Sequence, residues 1–155
     1  MRRSLQRSAK TVSVISVPMN LGQPFLGPDQ TPKLMKENGL SSLLTSCGWR
    51  IDMEPDIISA GTPPLHISDK NVVLGTAKNC AEVGFVCEKV FHVVKRHAET
   101  DNFVLILGGD HCIPIGTIPG LLSARKNTGV VWVDAHADIN VPATSNSGNM
   151  HGEKM

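Results

Sequence analysis

The chain has 155 residues, the size of one ordinary domain, and its 41% hydrophobic against 19% charged residues is enough apolar content to fold around a core. A formal charge of +1, from 15 Lys+Arg against 14 Asp+Glu, lacks the basic excess that marks nucleic-acid binding and the acidic block that marks a solvated tail. The longest apolar runs, such as Phe103 to Leu107, fall far short of the ~18–20 residues needed to span a bilayer. Four cysteines, Cys47, Cys80, Cys87 and Cys112, form no C-x-x-C pair, which argues for a reducing compartment and against a zinc ribbon or redox dithiol.

In chain order, residues 1–28 hold no Asp or Glu, and Arg2, Arg3, Arg7 and Lys10 are interleaved with Ser4 and Ser8. Two readings of residues 1–10 stand side by side: an organelle transit peptide, or a frayed polar terminus before the domain at 11–155. Cytoplasmic and mitochondrial locations both remain open, while the lack of an apolar h-region argues against secretion. Thr11 to Val17, TVSVISV, is β-branched and largely alternating, so it reads as a first strand. Thr31 followed by Pro32 predicts a helix start, with Thr31 as its cap, Gly39 as an interruption and Gly48 as its end. Trp49 to Met53 reads as a weak second strand, and the Pro-rich stretch from Glu54 to Ser68 as an exposed loop.

From about Asn71 to Lys95, Cys80, Val83, Cys87, Val90 and Val94 recur at helical spacing, which predicts a helix with both cysteines in the core. Phe103 to Leu107 and Gly129 to Val133 read as strands buried on both faces, with a helix from Ile113 to Ala124 between them, interrupted at Gly116, Pro119 and Gly120. Strands alternating with helices predict an α/β fold, a parallel sheet with helical crossovers. Such sheets collect chemistry beyond the carboxyl ends of their strands.

Of three polar clusters, the first two occupy that position. Gly108-Gly109-Asp110-His111 follows the third strand, with glycines that allow a sharp turn and a His aimed into a cleft; the bland reading is a hydrogen-bonded structural His. Asp134-Ala135-His136-Ala137-Asp138 follows the last apolar run, and extended alternation puts its three polar side chains on one side. Carboxylates packed so closely repel unless a cation neutralises them or one keeps a proton. Imidazole nitrogen with carboxylate oxygen, and no thiolate, suits Mn²⁺ better than structural zinc or calcium. Two such ions sharing a water lower its pKa toward neutrality, so hydrolysis is the natural chemistry. The third cluster, Asn140, Thr144 to Asn149 and His151, offers amides, hydroxyls and an imidazole, and from composition alone reads equally well as a plain loop.

The two blocks Gly108-Gly109-Asp110-His111 and Trp132-Val133-Asp134-Ala135-His136-Ala137-Asp138-Ile139-Asn140, with Ser147-Gly148-Asn149-Met150-His151-Gly152, resemble the manganese-dependent ureohydrolases, and among them the arginases. Gly27-Pro28, leading to Gly39-Leu40 and Leu43, matches more weakly, so the resemblance covers nearly all of the chain. It implies an arginase-like three-layer α/β/α fold, incomplete at the C-terminus, of which this chain supplies the N-terminal half. It implies that His111, Asp134, His136 and Asp138 are manganese ligands, with Asp134 bridging two Mn²⁺. It further implies that Asn140 and Ser147, with Asn149 nearby, hold a substrate α-carboxylate, and that His151 shuttles a proton.

The implied reaction is hydrolysis of L-arginine to L-ornithine and urea, and the implied assembly is a homo-oligomer, a trimer in arginases. Cys112 departs from the hydroxyl residue that commonly follows Gly-Gly-Asp-His, and Glu153-Lys154-Met155 departs from the usual continuation. The later arginase segment with further aspartate ligands has no counterpart here, so the chain alone is expected to be inactive. The alternatives are a catalytically silent arginase-like chain acting through subunit association, and another amidine hydrolase such as an agmatinase.

Overall fold

The computed structural model describes residues 10–57, 77–138, 140, 141 and 144–150. Its elements are β1 (Thr11–Val17), α1 (Thr31–Glu37), α2 (Leu40–Ser46), β2 (Arg50–Met53), α3 (Cys80–Ala98), β3 (Phe103–Gly108) and α4 (Pro114–Ala124). The sheet order is β2-β1-β3, and both pairings are parallel. Parallel neighbours need crossovers, and the crossovers are the helices. The fold is therefore α/β, as expected.

Alternation along the strands sends side chains to opposite faces. Ile15 and Val17 pack on one face with Val83, Val86, Cys87, Val90 and Val94 of α3. Val12, Val14 and Leu107 pack on the other, against Leu40 and Leu44 of α2 and against Trp49. Three layers result. The central strand is the most deeply buried: Val12 to Val17 are all inaccessible to solvent.

The first helical segment breaks where the sequence places Gly39, whose φ of 94° lies in the left-handed region that a side chain resists. Thr31 is not a cap: a 3-10 turn over Pro28–Gln30 feeds directly into α1, so Thr31 is already helical and its side chain caps nothing. Helix α3 starts at Cys80 and runs to Ala98, while the expected start at Asn71 falls outside the described residues, as does most of the Pro-rich loop. Of its two cysteines only Cys87 is core; Cys80 is half-buried, with its sulfur 3.7 Å from that of Met150.

Gly116 and Gly120, read from the sequence as interruptions of α4, are its contact face. A Cβ at Gly116 would lie 2.3 Å from the Cys87 carbonyl oxygen, and one at Gly120 2.7 Å from that of Phe91. Four residues apart on one side of a helix, the two glycines let α4 lie directly on the backbone of α3.

Gly129 to Val133 does not form the expected buried strand. Val131 and Val133 are 89% and 92% exposed, and no ladder forms there. A β-rich run becomes a strand only when a neighbour pairs with it and layers cover it, and among the described residues nothing does both. Phe103 is likewise exposed rather than buried, because β3 is an edge strand.

A polar knot closes the α3–sheet interface. His97 places Nδ1 2.9 Å from the Ser13 hydroxyl and donates through Nε2 to Glu54 at 2.9 Å, since a carboxylate only accepts. The spacing resembles a nucleophile relay. However, Ser13 is wholly buried and its hydroxyl donates to Asp52, so its chemistry is structural. The Arg125 guanidinium donates to the carbonyls of Ala98 and Asn102, closing the end of α3 over the start of β3.

Two predictions follow from this packing. Burial pushes the Glu54 carboxyl up, but hydrogen bonds from His97 and Arg96 and their positive charge outweigh it, and the net shift is downward from the ordinary 4.5. A depressed carboxyl contributes stability that is present above its unfolded value and lost as pH falls through the folded one. The urea midpoints of the parent chain and Glu54→Gln should therefore differ above pH 4.5 and converge below it; a gap independent of pH would contradict the knot. Burial, with the Asp110 charge, raises the Cys87 thiol to about 12. A thiol reagent at mildly alkaline pH should therefore label exposed Cys47 and leave Cys87 untouched until the chain is unfolded.

Candidate metal centre

Parallel pairing brings the carboxyl ends of β1 and β3 together, with Val17 opposite Gly108. The chain leaves both strands side by side. Gly109 donates its N–H to the Val17 carbonyl, and Asp110 donates its own to Met19 at 2.7 Å. The contact is too close for a side chain, because a Cβ at Gly109 would lie 2.2 Å from the Met19 carbonyl oxygen. His111 is thus the first side chain free to reach the space above the sheet.

There it meets the second cluster. His111 Nε2 lies 2.5 Å from Asp134 Oδ2 and 3.2 Å from Asp138 Oδ2. Both carboxylates are largely covered, while the imidazole is about half exposed. The His111 ring also rests against the Trp132 indole, with centroids 5.2 Å apart. One donor atom from each of His111, Asp134 and Asp138 falls within 4.8 Å of the others, a spacing that could hold a cation.

The grouping does not arise from strand alternation. Asp134 Oδ1 accepts the His136 backbone N–H at 2.9 Å, which bends the chain at 135–136, and Asp138 takes a left-handed φ of 50°. The same bend carries the His136 side chain outward, 82% exposed, with Nδ1 3.5 Å from Asp134 Oδ1. His136 therefore stands outside the group of three.

The His136 backbone N–H is also the main reason why the Asp134 carboxyl sits low, at about 2; desolvation opposes it, and hydrogen bonds with His111 and Asp138 and the His111 charge add to it. Asp134 is therefore a carboxylate at any physiological pH. Two carboxylates facing one imidazole nitrogen make a donor set of hard oxygens and borderline nitrogen, which fits Mn²⁺ by chemistry. To serve as a ligand, His111 must present Nε2 to the ion as a lone-pair donor.

The third cluster is placed only in part. Asn140 and Ser147 are exposed and Asn149 is half-buried, while His151 lies outside the described residues. The loop turns on its own hydroxyls, with the Asn149 N–H donating to Ser147 Oγ and the Gly148 N–H to Ser145 Oγ. It is tied to the start of α3, where Lys78 N–H donates to the Gly148 carbonyl at 2.8 Å.

Sequence reasoning passed over two contributors. From residue order Asp110 is only part of a glycine turn, yet it is buried and accepts two backbone N–H groups. Trp132 was read as strand core, yet it packs on the proposed His ligand. For Asp110 a signal existed: an acidic residue directly after a buried strand must find donors if it is covered.

Comparison with known proteins agrees with the geometry. Residues 10–155 match the arginase family. The arginase of Brevibacillus brevis is 38% identical over 143 residues, covering 92% of this chain and 46% of its own. Human Arginase-2, mitochondrial, is 36% identical over 151 residues, covering 97% and 41%. The crystal structure of Entamoeba histolytica arginase in complex with L-ornithine superposes with a TM-score of 0.78 at 33% identity, covering 93% of this chain and 47% of that one. The chain thus spans less than half the length of the relatives it matches. With the match running from the first strand through the carboxylate cluster, the chain belongs to the arginase family.

Proposed function

We propose that this chain carries the N-terminal share of an arginase-type centre, which hydrolyses L-arginine to L-ornithine and urea with two Mn²⁺ ions. The observation that supports this best is the meeting of His111, Asp134 and Asp138 above the strand ends, in a chain of the arginase family. His111, Asp134 and Asp138 are the ligands that the geometry favours. His136 would complete the set once its exposed side chain rotates inward, with Asp134 and Asp138 the carboxylates that would hold the ions. When bound, the ions supply a water acidified toward neutral pH.

The chain's own residues do the rest. Asp134 and Asp138 offset cationic charge. Asn140 and Ser147, with Asn149 beside them, offer an amide and hydroxyl suited to the α-carboxylate of an amino acid. His151 delivers a proton to the departing amine. Self-association, as a trimer by resemblance, is the assembly expected of the whole enzyme. Exposed Val131 and Val133, and a β3 edge that no other described strand pairs, favour a second reading, in which the chain acts through association without turnover.

Charge decides what the chain does alone. Two Mn²⁺ bring four positive charges against two negative ones from Asp134 and Asp138, which leaves two close-set cations poorly compensated. Residues 1–155 incubated with manganese should therefore release no urea from L-arginine and bind at most one ion weakly. Turnover with two ions per chain would overturn that expectation.

Joined to the remaining segment of a related arginase, such as that of Brevibacillus brevis, the chain should hydrolyse L-arginine. In that chimera Asp134→Ala should cost more than about 100-fold in activity, beyond the usual effect of outer-shell partners, and more than Asp138→Ala. His151→Ala should retain manganese while slowing turnover about 10²–10⁴-fold. Turnover of agmatine without arginine would move the reading to the agmatinase type, and a correctly folded, metal-loaded but silent chimera would favour the association reading.

A further inference from the structure

Asp110 is the most deeply buried acidic residue among those described, and it belongs neither to the metal group nor to any ion pair. Its two oxygens are used separately. Oδ2 accepts the Gly22 N–H and Oδ1 accepts the Cys112 N–H, each at 2.8 Å. One carboxylate therefore joins the loop that follows β1 to the residue on the far side of His111. Its backbone joins the same loops a second time, through the N–H given to Met19.

The junction has no slack. A Cβ at Gly22 would lie 2.0 Å from Cys112 Sγ and 3.2 Å from Asp110 Oδ1, and Cys112 is fully buried. A third tie comes from Asn79, the residue that precedes α3, whose side-chain amide donates to the Leu21 carbonyl at 2.7 Å. His111 stands at the centre of this frame, between Asp110 and Cys112, with its ring half exposed, Trp132 beside it and Asp134 and Asp138 at its Nε2. Side chains at a metal centre keep their aim only if the backbone beneath them is held.

We propose that Asp110 is a positioning residue: by clamping Gly22 to Cys112 it fixes the backbone from which His111 reaches Asp134 and Asp138. This rests on the metal reading above only for its consequence, ion affinity; the position of the His111 ring is a property of the chain without metal. The chemistry of the clamp makes it specific. Both partners are N–H donors, so both atoms must accept, which a carboxylate does and an amide of the same size cannot. Asp110→Asn sets an NH₂ against one of the two N–H groups and opens one side of the frame.

The test is made on the chain as it stands, by NMR without metal and by Mn²⁺ titration followed by EPR. In Asp110→Asn the contacts between the His111 ring and the Trp132 indole should be lost, while those between Trp49 and Phe103, whose centroids are 5.6 Å apart, persist. Mn²⁺ affinity should fall about 10–100-fold, the usual effect of losing an outer-shell partner. Asp56→Asn, which removes a surface partner of Lys36, should change neither readout.

Parental His111–Trp132 contacts in Asp110→Asn overturn the proposal, as does parental Mn²⁺ affinity despite their loss. If the parent chain binds no Mn²⁺, the metal reading of the chain fails and the ring contacts alone decide the role of Asp110. If Asp110→Asn also loses the Trp49–Phe103 contacts, the junction is pressed from its other side. Gly22→Ala should then displace the His111 ring, and Gly22→Ala with Cys112→Ala, which removes the colliding sulfur, should restore it. An undisturbed ring in Gly22→Ala would overturn the clamp.

Discussion

Strand β1 is paired in parallel on both sides, and this constraint organises everything above it. Parallel pairing forbids hairpins, so each return must cross a face of the sheet, which places α2 on one side and α3 with α4 on the other. It also brings the carboxyl ends of β1 and β3 to one level, and the loops that leave them have to share space. Gly109, pressed against Met19, is the residue at which that crowding is resolved.

The two ends of the sheet use polar groups in opposite ways. Near its amino end, Ser13, Asp52, Glu54, His97, Asn102 and Arg125 satisfy one another and the backbone, forming a closed network suited to rigidity. At its carboxyl end, Asp134 and Asp138 both face the His111 imidazole, and Asp134 is held in place by backbone N–H donation from His136. The first arrangement neutralises itself. The second is a donor set that gains from a cation, which is why the chemistry is assigned there.

The close packing of α3 on α4 links the two ends. Helix α3 carries His97 of the amino-end network at its last turn, and the two residues that precede it hold the loop of Ser147 and Asn149 through Lys78 and the loop of Leu21 through Asn79. Because Gly116 and Gly120 seat α4 against its backbone, α3 has little freedom to shift. Side chains of the third cluster are thereby referred to the same core as His111.

Local chemistry was legible from residue order. The β-branched run at 11–17, the break at Gly39, the stop at Gly48 and the apolar stripe of α3 from Val83 to Val94 follow from backbone and side-chain preferences that act over a few residues. The Gly-Gly-Asp-His and Asp-Ala-His-Ala-Asp blocks are visible because closely spaced carboxylates and imidazoles have few uses, and both lie within the residues that match the arginase family. What depended on partners was not legible. Val130 to Val133 has strand composition, but a ladder needs a neighbour; Gly116 and Gly120 look like breaks until another helix lies on them; and Asp110 looks like a turn residue until two loops offer it their N–H groups. His136 shares its motif with Asp134 and Asp138, but a single hydrogen bond to the Asp134 carboxylate turns it outward. Sequence thus determined which groups were available and the local conformations they prefer, whereas tertiary structure decided which of them meet, because pairing, burial and hydrogen-bond satisfaction depend on residues far apart in the chain.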